Sequence, residues 1–128
     1  WEETYPDRKG TIPIGWYEST VEEQHVPYLR PCECGGHEDT VYLTLQKEDE
    51  RLRIGGDKEF HFSALPYSVE AYTKADYDRE LESDGWYHLS LDAYHAGLGG
   101  DTGWMKNIHP QYRLPNGRYP FAFTILTD

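Results

Sequence analysis

Apolar and polar positions alternate in short runs along much of this chain, and only one window shows the spacing of a helix. Val41-Tyr-Leu-Thr-Leu-Gln46 has period two and includes the β-branched Val41 and Thr44 and the aromatic Tyr42, which predicts a strand. The charged turn Lys47-Glu-Asp-Glu50 separates it from a second strand, Arg51-Leu-Arg-Ile54. Gly55-Gly-Asp57 is expected to turn the chain into a third, Phe60-His-Phe-Ser-Ala64. Trp86 to His95 alternates again and predicts a fourth strand, which would put His88 and His95 on opposite faces because they differ by an odd number. Pro115-Asn-Gly117 predicts a turn between strands at Gln111–Leu114 and Tyr119–Leu126. In the second of these, Phe121, Phe123 and Ile125 share one face. The helical window is Ser68 to Leu81, with Val69, Tyr72, Ala75 and Leu81 among charges. Thr73 and Asp76 form a Thr-x-x-Asp pattern that predicts an N-cap and one short helix over 73–82. The expected fold class is all-β with one short helix, most simply a β-sandwich within a single domain, 1–128.

Two stretches fall outside this periodicity. Residues 1–40 are punctuated by Pro6, Pro13, Pro27 and Pro31 and closed by Gly35-Gly36, so they read as long ordered loops, which usually wrap a scaffold or carry function. After the fourth strand comes Ala96-Gly-Leu-Gly-Gly-Asp101-Thr-Gly-Trp104. Its four glycines permit a tight loop, with a large indole at the end. Such an indole either stacks on the C–H face of a sugar or another flat partner, or plugs the end of a sandwich core.

Composition narrows the partners. The 128 residues are 38% hydrophobic and 15% aromatic, with 11 Tyr and 4 Trp, enough to build a core. The net charge of −11 argues against nucleic acid or an anionic membrane as partner, since phosphate binding needs clustered Lys and Arg. No apolar run approaches the ~20 residues that span a bilayer. The chain opens on Trp1 without a signal-type segment, in what reads as a polar loop, so it is expected to be part of something longer. Cys32 and Cys34, at positions i and i+2 on one face of an extended chain, are too far apart for an easy disulfide, and Cys-x-Cys-x₂-His lacks zinc-ribbon spacing. Free structural thiols in a reducing, cytoplasmic compartment are the expectation, with no metal site.

Chemistry is not evident in the residues themselves. Glycoside hydrolysis needs two carboxyl groups facing each other across a sugar, and no acidic pair is marked out for that. No serine sits in a nucleophile elbow, and neither Gly-Gly-Asp triplet continues into a phosphate-binding loop. His25, His37, His61, His88, His95 and His109 show no helical i, i+4 pair and are assigned ordinary surface or core roles.

Three ordered segments carry a resemblance. Glu3-Thr-Tyr5-Pro-Asp7-Arg8 resembles the Glu-Asn-Tyr-Pro-Asp-Arg motif in the C-terminal domain of glycoside hydrolase family 2 β-galactosidases. Pro27-Tyr28 and Pro31-Cys-Glu33-Cys-Gly35, followed by His37 and Asp39, resemble the same domain's Pro-Tyr…Pro-x-Glu-x-Gly segment. Leu98-Gly-Gly-Asp101-Thr-Gly-Trp104, then Pro110-Gln-Tyr-Arg113, resembles its Gly-Gly-Asp-x-x-Trp loop and the strand that follows. Each match is short, but their order from residue 3 to about 124 makes the combination specific. The chain departs from the pattern ahead of Glu3, where Trp1-Glu2 stands in place of a Gly-x-Gly-Pro approach.

The resemblance implies the C-terminal part of a galactose-mutarotase-like supersandwich, the small-chain domain. It implies a parent β-galactosidase that hydrolyses terminal β-D-galactosides such as lactose. The catalytic glutamates, and the Mg and Na sites, would lie in a separate barrel, leaving no cofactor and no catalytic residue in this chain. By motif position Trp104 would bind the non-galactose sugar, while Glu3, Tyr5, Asp7, Arg8, Glu33 and Asp101 would organise loops. Partners would be the remaining domains or a large subunit, with homo-oligomerisation through exposed strand edges. A cytoplasmic parent is expected, a periplasmic one being the alternative. The rival readings are a stand-alone carbohydrate-binding module using Trp104 with Trp16 or Trp86, and a mutarotase-like enzyme, which would need a converging His and Glu.

Overall fold

The structure is a computed structural model that describes residues 5–9, 12–27, 34–100 and 107–127. The described residues build one antiparallel sheet of four strands: β1 (Gly36–Lys47), β2 (Glu50–Leu65), β3 (His88–Asp92) and β4 (Phe123–Thr127). β2 is the axis. β1 pairs along its whole length on one edge, from Gly36 opposite Ser63 to Lys47 opposite Glu50. The other edge is shared end to end: β4 takes Leu52–Gly56, and β3 takes His61–Leu65. The all-β class therefore holds. The second layer of a sandwich has no strand pairing among the described residues.

The expected break at Gly55-Gly-Asp57 is a bulge inside one long strand. Tyr42 pairs with Gly55 but Thr40 pairs with Phe60, so β2 gains residues against β1 there. Glycine is required for this. A Cβ on Gly56 would lie 2.5 Å from the Lys58 carbonyl oxygen. The looped-out backbone is satisfied from β4's side, where the Asp57 amide donates to the Ala122 carbonyl at 3.0 Å.

Alternation along β2 covers both its faces near the centre. Phe60 and His61 are neighbours and point to opposite sides, yet are only 2% and 6% exposed. Phe60 meets Phe123 edge-on, with ring centroids 5.3 Å apart. Beside this lies a small core of Cys34, Tyr72 and Ala75, packed by Val26, Leu65, Tyr67 and Leu81. Cys34 is a free, buried thiol; Cys32 lies outside the described residues.

The helix lies earlier than 73–82: α1 spans Val69–Lys74. Its cap is Ser68, whose hydroxyl accepts from the Ala71 amide at 3.1 Å. Thr73 lies in the last turn of α1, one residue before its end, where its hydroxyl donates back to the Val69 carbonyl at 2.7 Å, so it leads no helix that it could cap. The rest of the window is extended at Ala75, then forms a single 3₁₀ turn, Asp78–Glu80, where the Glu80 carboxylate accepts from the Asp76 and Tyr77 amides.

Other strand boundaries also move, beginning with β1, which starts at Gly36 inside the stretch 1–40 expected to be loop. β3 is shorter than 86–95 because its partner reaches only from Leu65 to His61 before the bulge redirects β2. His95 thus follows the strand, and the expectation that it opposes His88 across one strand does not hold. Gln111–Leu114 is not a strand; Pro110–Tyr112 forms a 3₁₀ turn started by proline, with Arg113 Nε donating to the Ile108 carbonyl at 2.7 Å. The last strand starts at Phe123 rather than Tyr119, since Ala122 is already engaged by Asp57.

Candidate functional site

The glycine loop is assembled by the N-terminal segment. Residues 5–8 turn tightly, with the Arg8 amide donating to the Tyr5 carbonyl at 2.9 Å. The turn aims the Asp7 carboxylate at the loop, where it accepts from the Leu98 amide at 2.9 Å and the Gly99 amide at 2.8 Å. The Arg8 guanidinium donates to the Gly99 carbonyl. From the other side, the Gly97 amide donates to the Tyr112 carbonyl at 2.8 Å.

This contact leaves no room for a side chain at Gly97. A Cβ there would lie 2.6 Å from Asp7 Oδ2 and 2.7 Å from Tyr112 Cβ. Gly99 has φ +75, and a Cβ would sit 2.8 Å from the Asn107 carbonyl oxygen. Partial burial on its own would raise the Asp7 pKa, but the Gly99 and Leu98 amides, with Arg8 nearby, outweigh it and hold the carboxyl below its usual 3.8.

Directly beneath lies a group of imidazoles. Tyr5, 6% exposed, stacks on His95 with ring centroids 4.9 Å apart. His95 Nδ1 is 2.5 Å from Glu38 Oε1, and its ring centroid is 4.1 Å from that of His61. His61 Nδ1 is 3.2 Å from Asp92 Oδ2. Glu38 comes from β1, His61 from β2 and Asp92 from the end of β3, so the sheet itself gathers the cluster. A cavity of about 250 Å³ opens onto it, lined among others by Tyr5, Cys34, Ser63, Tyr72 and His88. Burial pushes the His61 pKa down, and the neighbouring His95 adds to this against the pull of Glu38 and Asp92. His37, stacked on Phe62, is pushed down to about 4 by burial and by His61.

Of the residues singled out from the sequence, Tyr5, Asp7 and Arg8 converge on residues 95–99. Glu3, Glu33, Asp101 and Trp104 lie outside the described residues. The Glu38–His61–His95 group was not legible in the sequence. Its members come from separate elements, so no short spacing marks them, and only the β1–β2 register and the chain path after β3 bring them together.

Fold and site together define an all-β domain whose N-terminal turn clamps a glycine loop above a buried histidine–carboxylate cluster. The chain belongs to the β-galactosidase small-chain family, whose model matches residues 1–125. It is 36% identical over 126 residues to a β-galactosidase of Vibrio cholerae, covering 96% of this chain and 11% of that protein. A β-galactosidase of Bifidobacterium adolescentis is 37% identical over 118 residues, covering 89% and 11% respectively. One from Pseudoalteromonas haloplanktis is 32% identical over 123 residues, covering 96% and 11%. The chain thus spans about a ninth of the length of these relatives.

Proposed function

We propose that this chain is the C-terminal piece of a retaining β-galactosidase acting on terminal β-D-galactosides of the lactose type. In this reading the catalytic glutamates, and any Mg or Na, belong to a barrel domain outside the chain, and the chain alone is inactive. Its part is to complete the subsite for the non-galactose sugar with Trp104 and to pack against the remaining domains or large subunit. Glu3, Glu33 and Asp101 join Tyr5, Asp7 and Arg8 in organising the loops.

The observation that carries the reading is the clamp on the glycine loop. Asp7 holds the Leu98 and Gly99 amides, and Gly97 is pinned between Asp7 and Tyr112. A root fixed in this way supports the use of the segment after Gly100 for positioning an indole, because a recognition side chain works best on a rigid base. An indole face then offers a sugar a broad apolar contact.

The test is Trp104→Ala in the full-length polypeptide. Affinity for glucose-type acceptors should fall about tenfold, equivalent to ~1.4 kcal/mol, and transglycosylation should fall with it. Inhibition by galactose should change less. Unaltered acceptor affinity would rule the assignment out. Millimolar or tighter binding of galactosides by the 128-residue chain alone would instead favour a stand-alone binding module.

A further inference from the structure

We propose that Glu38, His61 and His95 form a binding site for a divalent transition-metal ion, with zinc as the first candidate. The proposal is independent of the galactoside reading. The three side chains each offer a ligand atom, and these atoms all lie within 4.8 Å of one another. Two imidazoles and one carboxylate are a donor set that zinc takes readily, with the fourth position left to water or another group. Zinc ligands at ~2.0–2.1 Å in a tetrahedron stand about 3.4 Å apart, so side-chain rotations of about an ångström close the set.

The surroundings favour a metal over a loose polar contact. The side chains of His61, Glu38 and His95 are 7%, 10% and 19% exposed, so their donors are held away from bulk water. The Glu38–His95 contact at 2.5 Å already brings two of the donors together. Binding would require these ligating atoms to be free of protons, with any proton they carry released to solvent. Asp92 sits against His61 Nδ1 at 3.2 Å, the position from which a carboxylate orients a metal-bound imidazole or completes its ligand set. The cavity beside the cluster supplies an entry path and room for a bound water.

The site would join three parts of the chain. Glu38 is on β1, His61 on β2, and His95 begins the approach to the glycine loop two residues before Gly97. A metal there would anchor the base of that loop from below, while Asp7 holds it from above.

The experiment strips the 128-residue chain with a chelator and titrates zinc against a chromophoric competitor. One saturable equivalent per chain is expected. Glu38→Gln and His95→Gln should each weaken it by more than the roughly 10–100-fold expected for Asp92→Asn, which removes an orienting partner. Cys34→Ser should leave the affinity unchanged. Cobalt(II) added to the unaltered chain gives a readout that needs no variant: visible d–d bands without a near-ultraviolet thiolate charge-transfer band. Absence of a stoichiometric zinc site, zinc affinity that survives both Glu38→Gln and His95→Gln, or a cobalt spectrum showing thiolate ligation would each overturn the proposal.

Discussion

Gly97→Ala tests the clamp on the glycine loop with the smallest possible change. The new methyl would fall 2.6 Å from Asp7 Oδ2, 2.7 Å from Asp7 Cγ and 2.7 Å from Tyr112 Cβ. None of these is the free end of a long flexible side chain, so the loop or Asp7 must move. Overpacking of this kind costs about 1–3 kcal/mol. Displacing Asp7 also disrupts its bonds to the Leu98 and Gly99 amides, and hydrogen bonds to a charged acceptor are worth about 1.5–3 kcal/mol. The expected loss is therefore about 3–5 kcal/mol. At an m-value of ~2 kcal/mol/M, equilibrium urea unfolding should show a midpoint lower by about 1.5–2.5 M. Gly55→Ala is the matched control. A Cβ at Gly55 meets nothing within 4 Å, and replacing glycine in a strand interior removes an entropic cost of about 0.5–1 kcal/mol. The control should be neutral or slightly stabilised. If Gly97→Ala were no more destabilised than Gly55→Ala, the tight contact between Asp7 and the loop would have no energetic weight.

Two further outcomes follow from the same geometry. Asp7 has its folded pKa depressed below 3.8, so the stability it contributes is full above that value and is lost as pH falls through the lower folded pKa. The stability gap between the unaltered chain and Asp7→Asn should be constant from pH 7 to about 5 and shrink below about pH 4; a gap that widens in acid contradicts the sign. Ser68→Ala removes the cap of α1 and should cost about 1 kcal/mol in urea unfolding, whereas Thr73→Ala, which deletes no cap, should cost clearly less. Equal losses would restore Thr73 as the cap.

How much of this was legible depended on the range of the interaction. Alternation in Val41–Gln46 and Phe60–Ala64 is a local steric pattern, and those strands are present within β1 and β2. Gly55-Gly-Asp57 looked like a turn because glycine pairs serve both turns and bulges. The choice was made by β4, which lies far along the chain and pairs with Leu52–Gly56. The helix boundary failed for a local reason: Ser68 and Thr73 both offer a capping hydroxyl, and burial of Tyr72 favours the frame in which Ser68 leads. In the site, Asp7 and Arg8 could be singled out because they sit in a contiguous motif. Their partners are backbone amides and a carbonyl about ninety residues away, which no side-chain pattern announces. The histidine–carboxylate cluster was invisible for the same cause, being a product of strand register.

The central claim is that the clamped loop presents Trp104 to the part of a galactoside that is not galactose. A crystal structure of the full-length polypeptide with a bound lactose-type disaccharide tests it most directly. The account predicts the Trp104 indole face against the non-galactose ring, with Asp7 still accepting from the Leu98 and Gly99 amides. A second ring held only by residues outside this chain, with Trp104 buried away from it, would contradict it.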